Sequence, residues 1–469
     1  MDKPRPKTLN RQILELAIPA LGALIAEPLM TMADSAMVGH LGTAQLAGMA
    51  VGTTILNLFV GMCIFLAYTT TALTSRRLGA GDKKGALRGG VDGMWLAAGV
   101  GLLLALVLAI FAPQLASLFG ASAAASGHAG IYLRAAAPGL ISMLTVMAAT
   151  GTLRGMLNTR TPFVVATLGA LANVCLNATL IYGVDLGIRG AGIGTALAQT
   201  GMAVALCLIV YRGARREGIS VRPSISGIRK SGFSGLPLLV RSLALQLCGV
   251  LTVSAATRLG DLTLASHQVI NSIWALSSFS LDALAIAAQA LTGHALGTGN
   301  FSRVRAVLGR CLAWGAGVGV VLGVIIIAGS PLIGRIYSSD NQVLMATAVG
   351  LIMAGLMQPL AGVVYMLDGV LIGANDSKYM AASYVVVLAV YAPAALAIAH
   401  FGNTWSAALV GGQDLPAEAP SYGWILAGNH AGLNLLWVWV GYAAIMFGAR
   451  AVVLAIRARG SKWMENAEA

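Results

Sequence analysis

Twelve long apolar runs restrict the fold of this chain more than any other feature. They are separated by Gly, Pro or charged clusters and lie roughly at residues 12–40, 46–74, 92–118, 128–157, 162–184, 191–212, 236–259, 262–293, 306–335, 343–373, 379–401 and 431–457. A helix needs about 20 apolar residues to cross a bilayer. Isolated strands cannot satisfy their backbone polar groups in lipid. We therefore predict an all-α polytopic membrane protein with twelve transmembrane helices.

Composition favours one membrane domain over a series of soluble ones. Charged residues make up 10% of the 469 residues and hydrophobic residues 57%, whereas a soluble domain carries about 25% charged residues. The polar segment before the first run is short and no small-residue cleavage site follows, so no removable signal peptide is predicted. The cysteines all lie in apolar runs without metal-ligand spacing, which predicts packing roles for Cys63, Cys175, Cys207, Cys248 and Cys311.

The formal net charge is +13, and membrane topology explains it better than nucleic-acid binding does. If both termini are cytoplasmic, 25 of the 30 Lys and Arg residues fall on the cytoplasmic side, among them Arg450. Positive residues are retained on that side of a membrane. We therefore predict a multi-pass protein of the bacterial inner membrane, with both termini in the cytoplasm and no nucleic-acid partner.

The chain repeats itself at a constant offset of 218 residues. Pro19 matches Pro237, Leu41-Gly42 matches Leu259-Gly260, TSRRLGAGD (74–82) matches TGHALGTGN (292–300), and GTLRGMLNTR (151–160) matches GVLIGANDSK (369–378). Six runs per half is an even number, so both halves enter the membrane from the same side as parallel repeats. This predicts an N-terminal lobe at 1–212, a basic cytoplasmic linker at 213–235 and a C-terminal lobe at 236–469. The long outer segment 402–429 has no functional explanation.

Ionisable residues inside the apolar runs are candidates for function, because a charge at the bilayer centre is costly. Asp34 lies near the outer end of the first run, and Glu27, Met30 and Met37 recur with it at spacings of three and four. Such spacing places all four side chains on one helix face. We predict that Asp34 binds the coupling ion and that the other three line a substrate cavity. A structural role is the alternative, above all for Glu27, which precedes Pro28.

Polar side chains in the fifth and sixth runs lie at a depth similar to that of Asp34. Asn173 and Asn177 are four residues apart on one face. Thr195, near the start of the sixth run, lies one helical turn below the outer surface. A carboxylate, two carboxamides and a hydroxyl could bind a proton or a small cation. Hydrogen bonding between helices is the alternative. The offset of 218 pairs Asp34 with Thr252, so the acidic site is not duplicated.

Asp282 and Asp368 lie toward the inner ends of their runs, where a salt bridge or a cytoplasmic gate is as plausible as a substrate site. They are also the one pair that a membrane-embedded enzyme could use. The chain has no GxxxxGK[ST] and no HExxH, which argues against a P-loop and against a zinc protease of that type. We predict no enzymatic activity, no cofactor and no metal centre.

The order and spacing of several strings resemble the multidrug and toxic compound extrusion (MATE) transporters, in the DinF-like branch. The resemblance covers nearly the whole chain. Its marks are ADSAMVGHLGTAQLAGMAVG (33–52), TSRRLGAGD (74–82), RGMLNTRTP (154–162), LGIRGAGIGTALAQ (186–199), LALQLC (243–248), LDALAIAAQALTGHALG (281–297) and LDGVLIGANDS (367–377).

The resemblance implies two six-helix lobes around a cavity that opens alternately to either side. It implies that Asp34 accepts the coupling ion, and that Asn173, Asn177 and Thr195 correspond to further positions of the site. Relatives with a fuller cation site carry an acid where this chain has Asn177, which weakens the case for sodium. Pro19 corresponds to the proline associated with bending of the first helix. Gln289 stands where some relatives have Glu, so an acidic role there is in doubt.

Together these observations predict a monomeric antiporter that exports amphipathic or cationic organic compounds in exchange for protons. Asp34 would load a proton from outside, become neutral and change how the first helix packs. Membrane lipid would surround the protein. The alternatives are sodium-coupled export and a flippase for lipid-linked substrates.

Overall fold

The computed structural model describes residues 8–118, 122–338, 340–410 and 430–465. These residues form α-helices and two π-helical segments, and no β-strand occurs among them. Among these residues, eleven helices are long and apolar enough to cross a membrane, and the number is twelve if one bent helix pair is counted as a single span. The predicted all-α polytopic fold is thereby confirmed.

The first six spans occupy the N-terminal half of the chain. They are α1 (Leu9–Gly39), α2 with α3 (Thr43–Met62, Phe65–Gly79), α4 (Lys83–Ser117), α5 with α6 (Ala123–Ala136, Gly139–Gly155), α7 with a π-helical turn (Arg160–Ala178, Thr179–Gly183) and α8 (Gly187–Arg216). The chain bends by 56° between α5 and α6. Pro138 lies at this break, where a proline removes a backbone donor and disfavours a continuous helix.

The second six spans are α9 (Ile225–Arg258), α10 (Asp261–Gly297), α11 (Phe301–Tyr337), α12 (Asn341–Gly373), α13 (Ser377–Val410) and a span that joins α14 (His430–Trp439), a π-helical segment (Val440–Met446) and α15 (Phe447–Arg459). A short helix α16 (Lys462–Glu465) follows. Of the outer segment predicted at 402–429, residues 402–410 continue α13, and the remainder lies outside the described residues.

Backbone conformation at the turns follows the offset of 218 residues found in the sequence. Gly42 and its repeat mate Gly260 have positive φ angles of 140° and 114°, and Gly81 and Gly299 have 79° and 69°. Both Leu157 and its mate Asn375 have a φ of 59°. Asn adopts this left-handed conformation more readily than Leu. The two halves therefore share turn geometry even where the residue type differs.

Packing divides the chain into two compact units that are not the two sequence halves. Unit 1 contains Met1–Ser242, Ile286–Val304 and Ile372–Ser377, and unit 2 contains Leu243–Ala285, Arg305–Leu371 and Lys378–Ala469. The C-terminal end of α10 thus packs with unit 1. The lobes at 1–212 and 236–469 stay a prediction about the repeat.

A reciprocal glycine contact joins α3 to the C-terminal end of α10 within unit 1. A Cβ atom on Gly79 would lie 2.0 Å from the carbonyl oxygen of His294, and one on Gly297 would lie 2.0 Å from that of Arg76. Gly79 and Gly297 are repeat mates, and so are Arg76 and His294. The two helices therefore cross at a point that only glycine permits, with each repeat contributing the same contact.

The segment that follows α8 is held against α4. The linker predicted at 213–235 is helical except for residues 217–224. Lys83 forms a 2.7 Å ion pair with Glu217 and lowers the pKa of that carboxyl. Arg88 donates to the carbonyl of Ser220, and Trp95 donates to that of Val221 at 3.0 Å. One side of α4 therefore fixes the path of the chain into α9.

Candidate functional site

Asp34 lies in the C-terminal part of α1, on the face that packs toward α7 and α8. Its side chain is only 4% exposed although it is a carboxylate. Met30 and Val38, one turn before and after it, are also buried, and the buried face continues the helical spacing seen in the sequence. The predicted depth of Asp34 agrees with its position five residues before the end of α1.

Two neutral side chains contact the carboxylate of Asp34. Asn177 of α7 donates from Nδ2 to Oδ1 at 2.6 Å. The hydroxyl of Thr195 in α8 lies 3.5 Å from Oδ2, beyond the usual range of an O–H···O bond. That hydroxyl has a better acceptor in its own helix, the carbonyl of Ala191 at 2.9 Å. One oxygen of Asp34 is therefore tightly bonded and the other only loosely.

Asn173 completes the cluster. Its Nδ2 donates to the hydroxyl of Thr195 at 3.3 Å, and its Oδ1 accepts from Nδ2 of Asn177 at 3.3 Å. Both asparagines are fully buried. The structure thus brings together all four residues predicted for the coupling site: Asp34, Asn173, Asn177 and Thr195.

Close helix packing gives these groups their positions. A Cβ atom on Gly194 would lie 1.9 Å from Oδ1 of Asn177, so a larger residue at position 194 would collide with that amide. The π-helical turn Thr179–Gly183 begins two residues after Asn177. Such turns change the helical register and occur often at functional sites.

Asp34 has no positive partner among the described residues. No Lys, Arg or His lies within ion-pair distance of it there. Oδ1 of Asn177 is buried and has no hydrogen-bond partner in the same part of the chain. A buried carboxylate of this kind can gain or lose a proton without breaking a salt bridge.

Tyr132 of α5 packs beside this site, and sequence reasoning did not select it. Its side chain is buried and packs in the apolar cluster that contains Val38, one turn after Asp34. Tyr132 is one of several tyrosines in apolar runs, and neither motif nor spacing distinguishes it.

The other residues of the predicted stripe differ in exposure. Glu27 is exposed, Met30 is buried, and Met37 is half-buried and packs against an apolar cluster that includes Val38 and Tyr132. The carbonyl of Met37 accepts a 2.6 Å bond from the hydroxyl of Tyr182. A substrate-cavity role for Glu27, Met30 and Met37 stays a prediction.

The position equivalent to Asp34 in the second repeat carries no charge. Thr252 shares a 2.6 Å hydrogen bond with the hydroxyl of Tyr391, the repeat mate of Asn173. Both side chains are buried. The same helix contact is therefore present in unit 2, but without an ionisable carboxylate.

Asp368 of α12 is held in a buried ion pair within unit 2. Nη2 of Arg450 lies 2.6 Å from its Oδ2, and the hydroxyl of Tyr384 donates to the same carboxylate. Asp368 and Arg450 are each 4% exposed. The salt-bridge alternative predicted for Asp368 is the arrangement observed.

The position of Arg450 differs from the one expected from the charge distribution. We counted it among the basic residues of the cytoplasmic side, but it lies inside α15, over the ring of Phe447 at 4.5 Å and beside Asp368. A buried arginine needs a carboxylate or an aromatic ring as a partner. Sequence distance conceals this pair, because 82 residues separate its members.

Three further residues singled out in the sequence lie within α1 and α10. Asp282 is half-buried in α10 and takes part in an interaction within the described chain. Gln289 donates from Nε2 to the carbonyl of Tyr68 at 2.8 Å within unit 1, which is a structural contact. Pro19 lies inside α1, which continues through it, so its bending role stays a prediction.

The MatE family model matches the chain twice, at residues 19–179 and 237–405. The two matches begin 218 residues apart, which is the offset of the internal repeat. The DNA damage-inducible protein F of Escherichia coli (strain K12) is 28% identical over 404 residues, covering 84% of this chain and 87% of that protein. Protein DETOXIFICATION 44, chloroplastic, of Arabidopsis thaliana is 28% identical over 401 residues, covering 82% and 76%.

Solved structures share the fold. A MATE crystal structure in the bent conformation has a TM-score of 0.83 at 19% identity, covering 99% of this chain and 98% of that one. An outward-facing multidrug resistance MATE transporter of the MOP superfamily has a TM-score of 0.82 at 19% identity, covering 99% and 97%. The repeat, the fold and the double match to the family model agree with one another, and the chain belongs to the MATE family of membrane transporters, in its DinF-like branch.

Proposed function

We propose that this protein is a secondary active antiporter that exports amphipathic or cationic organic compounds in exchange for protons by alternating access. One observation carries the proposal: Asp34 is a buried carboxylate whose contacts in the described chain are all with neutral groups. In contrast, Asp368 is neutralised by Arg450. Of these two acids, only Asp34 is arranged to change its charge during transport.

The hydrogen bonds of the site suit two protonation states. An ionised Asp34 accepts the 2.6 Å bond from Nδ2 of Asn177. A protonated Asp34 offers a hydroxyl, which needs an acceptor. Rotation of the Asn177 amide would supply its Oδ1, which otherwise lacks a partner among the described residues. Proton binding would thus change the contact between α1 and α7 and allow α1 to repack.

The names of the relatives support the substrate class. One of them is a probable multidrug resistance protein NorM of Pseudomonas putida (strain KT2440), 28% identical over 367 residues that cover 73% of this chain and 79% of that protein. In this chain, the exposed carboxylate of Glu27 lies on the same α1 face, about 10 Å along the axis from Asp34. A cationic substrate near Glu27 and a proton on Asp34 would compete through the charge of this face.

The membrane placement belongs to the same proposal. We place the protein in the bacterial plasma membrane as a monomer with both termini in the cytoplasm. The excess of Lys and Arg on that side supports this orientation. Arg450 is removed from the count because it lies inside unit 2.

Efflux from proteoliposomes tests the coupling. Vesicles containing the purified protein are loaded with a fluorescent organic cation, and an imposed pH gradient drives its release. Asp34→Asn keeps the size of the side chain and one acceptor oxygen but cannot be ionised. We therefore expect pH-driven efflux to fall to the level of vesicles without protein. Glu27→Gln is the matched control, and we expect it to retain pH-driven efflux while binding the cation more weakly.

Undiminished efflux by Asp34→Asn would exclude Asp34 as the coupling residue. A sodium gradient applied to the same vesicles tests the alternative ion. The buried Oδ1 of Asn177 favours a cation, because an amide oxygen without a hydrogen-bond partner among the described residues can serve as a ligand for sodium. Sodium-driven efflux without a pH gradient would show that the coupling ion is sodium and not the proton.

A further inference from the structure

A second polar site lies in unit 1, on the side of the membrane that carries most of the Lys and Arg residues. It is a cavity of about 60 Å³. Its walls come from α3, α4, α9 and the turn between α12 and α13. The lining residues that matter here are Thr69, Arg77, Asp92, Lys230, Ser231 and Asn375. None of them contacts the Asp34 cluster.

Two buried hydroxyl residues line this cavity, and one of them has unused hydrogen-bonding capacity. Thr69 lines it and is 6% exposed, and its Oγ1 has no hydrogen-bond partner among the described residues. Ser231, on the α9 wall, is 7% exposed. A buried hydroxyl without a partner costs free energy. Such a group is retained more readily when a ligand or water supplies the missing bond.

The charge of the cavity is positive. Arg77 and Lys230 bring two cations to its wall. Asp92 is the one acid, and Arg88 neutralises it through a 3.1 Å ion pair. The other carboxylate oxygen lies over Gly227 at the start of α9, where a Cβ atom would be 2.1 Å away. Arg88 therefore balances the charge of Asp92, although Oδ1 of Asp92 accepts no hydrogen bond among the described residues. Arg77 also donates from Nη1 to the carbonyl of Gly85 at 2.6 Å and keeps its charge, so with Lys230 the wall has a positive excess that favours an anion.

Glycines and the fixed segment before α9 keep the cavity open. A Cβ atom on Gly89 would lie 2.7 Å from Leu73 and 3.1 Å from Nη1 of Arg77, in the space that the guanidinium occupies. The bonds from Arg88 and Trp95 hold residues 220 and 221 against α4. The α9 wall is thereby positioned before any ligand arrives, which reduces the entropy lost on binding.

Position and size indicate the ligand. A water molecule needs about 10–15 Å³ of cavity space, so the site accommodates a group with about four oxygen atoms. Trp95 and Phe233 are exposed on the same two helices, α4 and α9, as aromatic residues at a membrane interface are. We propose that the cavity binds a phosphate group, either the headgroup of an anionic lipid of the inner leaflet or free phosphate, through Arg77, Lys230 and the hydroxyls of Thr69 and Ser231.

Lipid binding to the purified full-length protein tests this proposal. Native mass spectrometry with added phosphatidylglycerol gives a dissociation constant for the retained lipid. We expect Lys230→Gln to raise this constant about tenfold, the effect of one charge-assisted hydrogen bond. Thr69→Val keeps the shape of the side chain and should also weaken binding, while the protein without lipid unfolds at the same or a higher temperature.

Arg229→Gln is the matched control. It removes the same charge from the neighbouring position, where Arg229 packs on Phe233 and does not line the cavity. We expect a change of less than about twofold, as for an exposed charge. Equal weakening by Lys230→Gln and Arg229→Gln would show general surface attraction and overturn the proposal.

Inorganic phosphate is the second probe, measured by its effect on the unfolding temperature in neutral detergent. Stabilisation by phosphate that Lys230→Gln abolishes would identify free phosphate as a ligand of the cavity. Retention of phosphatidylglycerol without any effect of phosphate would identify the lipid. Binding of neither probe, or binding that neither Lys230→Gln nor Thr69→Val weakens, would overturn the proposal.

Discussion

Asp34 and Asp368 are both buried carboxylates, and their neighbours give them different chemistry. Asp34 contacts Asn177 and Thr195, which are neutral and can serve as donor or acceptor. Asp368 contacts the permanently charged Arg450 and the hydroxyl of Tyr384, and the guanidinium favours the ionised carboxylate. Protonation of Asp34 would therefore break no ion pair among the described residues, whereas protonation of Asp368 would break its pair with Arg450.

Breaking the Asp368–Arg450 pair should destabilise unit 2. Arg450→Met keeps the apolar contact with Phe447 but leaves the carboxylate buried without a cation. Removing one member of a buried pair costs about 3–5 kcal/mol. We expect a lower unfolding temperature for Arg450→Met, read from tryptophan fluorescence, and recovery of more than half of that loss in the double variant Asp368→Asn/Arg450→Met. Additive losses in the double variant would show that the two side chains are not coupled.

At the scale of helices, the crossing of α3 and α10 depends on the absence of side chains. We expect Gly79→Ala to lower the unfolding temperature, because its Cβ atom would lie 2.0 Å from a backbone oxygen that cannot rotate away. Gly201→Ala is the control, since that helical glycine has open space around it. Ala stabilises an unhindered helix position by about 1 kcal/mol, so Gly201→Ala should unfold at an equal or higher temperature. The opposite ranking would show that the crossing is not tightly packed.

The repeat shows how far sequence could predict these elements. The offset of 218 residues predicts equivalent turns, and Gly81 and Gly299 have similar positive φ angles. It also shows that Gly79 and Gly297 correspond, but it does not show that their helices touch. Contacts across the bundle, such as Arg450 with Asp368, depend on helix rotation and crossing. No local pattern encodes these.

The candidate site was predictable for a related reason. Asp34, Asn173, Asn177 and Thr195 share a depth in the membrane, and few polar side chains exist there to satisfy one another. Depth and helical spacing were enough to select these four residues. Depth distinguished Asp34 from Asp368, but it could not identify the salt-bridge partner of Asp368, because Arg450 lies 82 residues away in the chain.

For the whole molecule, the number of protons exchanged per cycle decides whether the membrane potential contributes to the driving force. If Asp34 alone carries the proton, each cycle moves one proton inward and one monovalent cation outward, so no net charge crosses the membrane. Net movement of one charge would change the accumulation ratio about 50-fold per 100 mV. We therefore expect a pH gradient to drive efflux of a monovalent cation, and expect a potassium diffusion potential of either sign to leave the accumulation ratio unchanged.

The measurement uses proteoliposomes with valinomycin, so that the membrane potential and the pH gradient are set separately. A zwitterionic substrate is the internal control, because its exchange for one proton moves one net charge and should respond to voltage. A voltage response with the monovalent cation would contradict a single carrier and indicate a second proton. Glu27 would then be the first residue to test, since its exposed carboxylate lies on the same face of α1 as Asp34. Loss of the voltage response in Glu27→Gln, with pH-driven efflux retained, would assign the second proton to that residue.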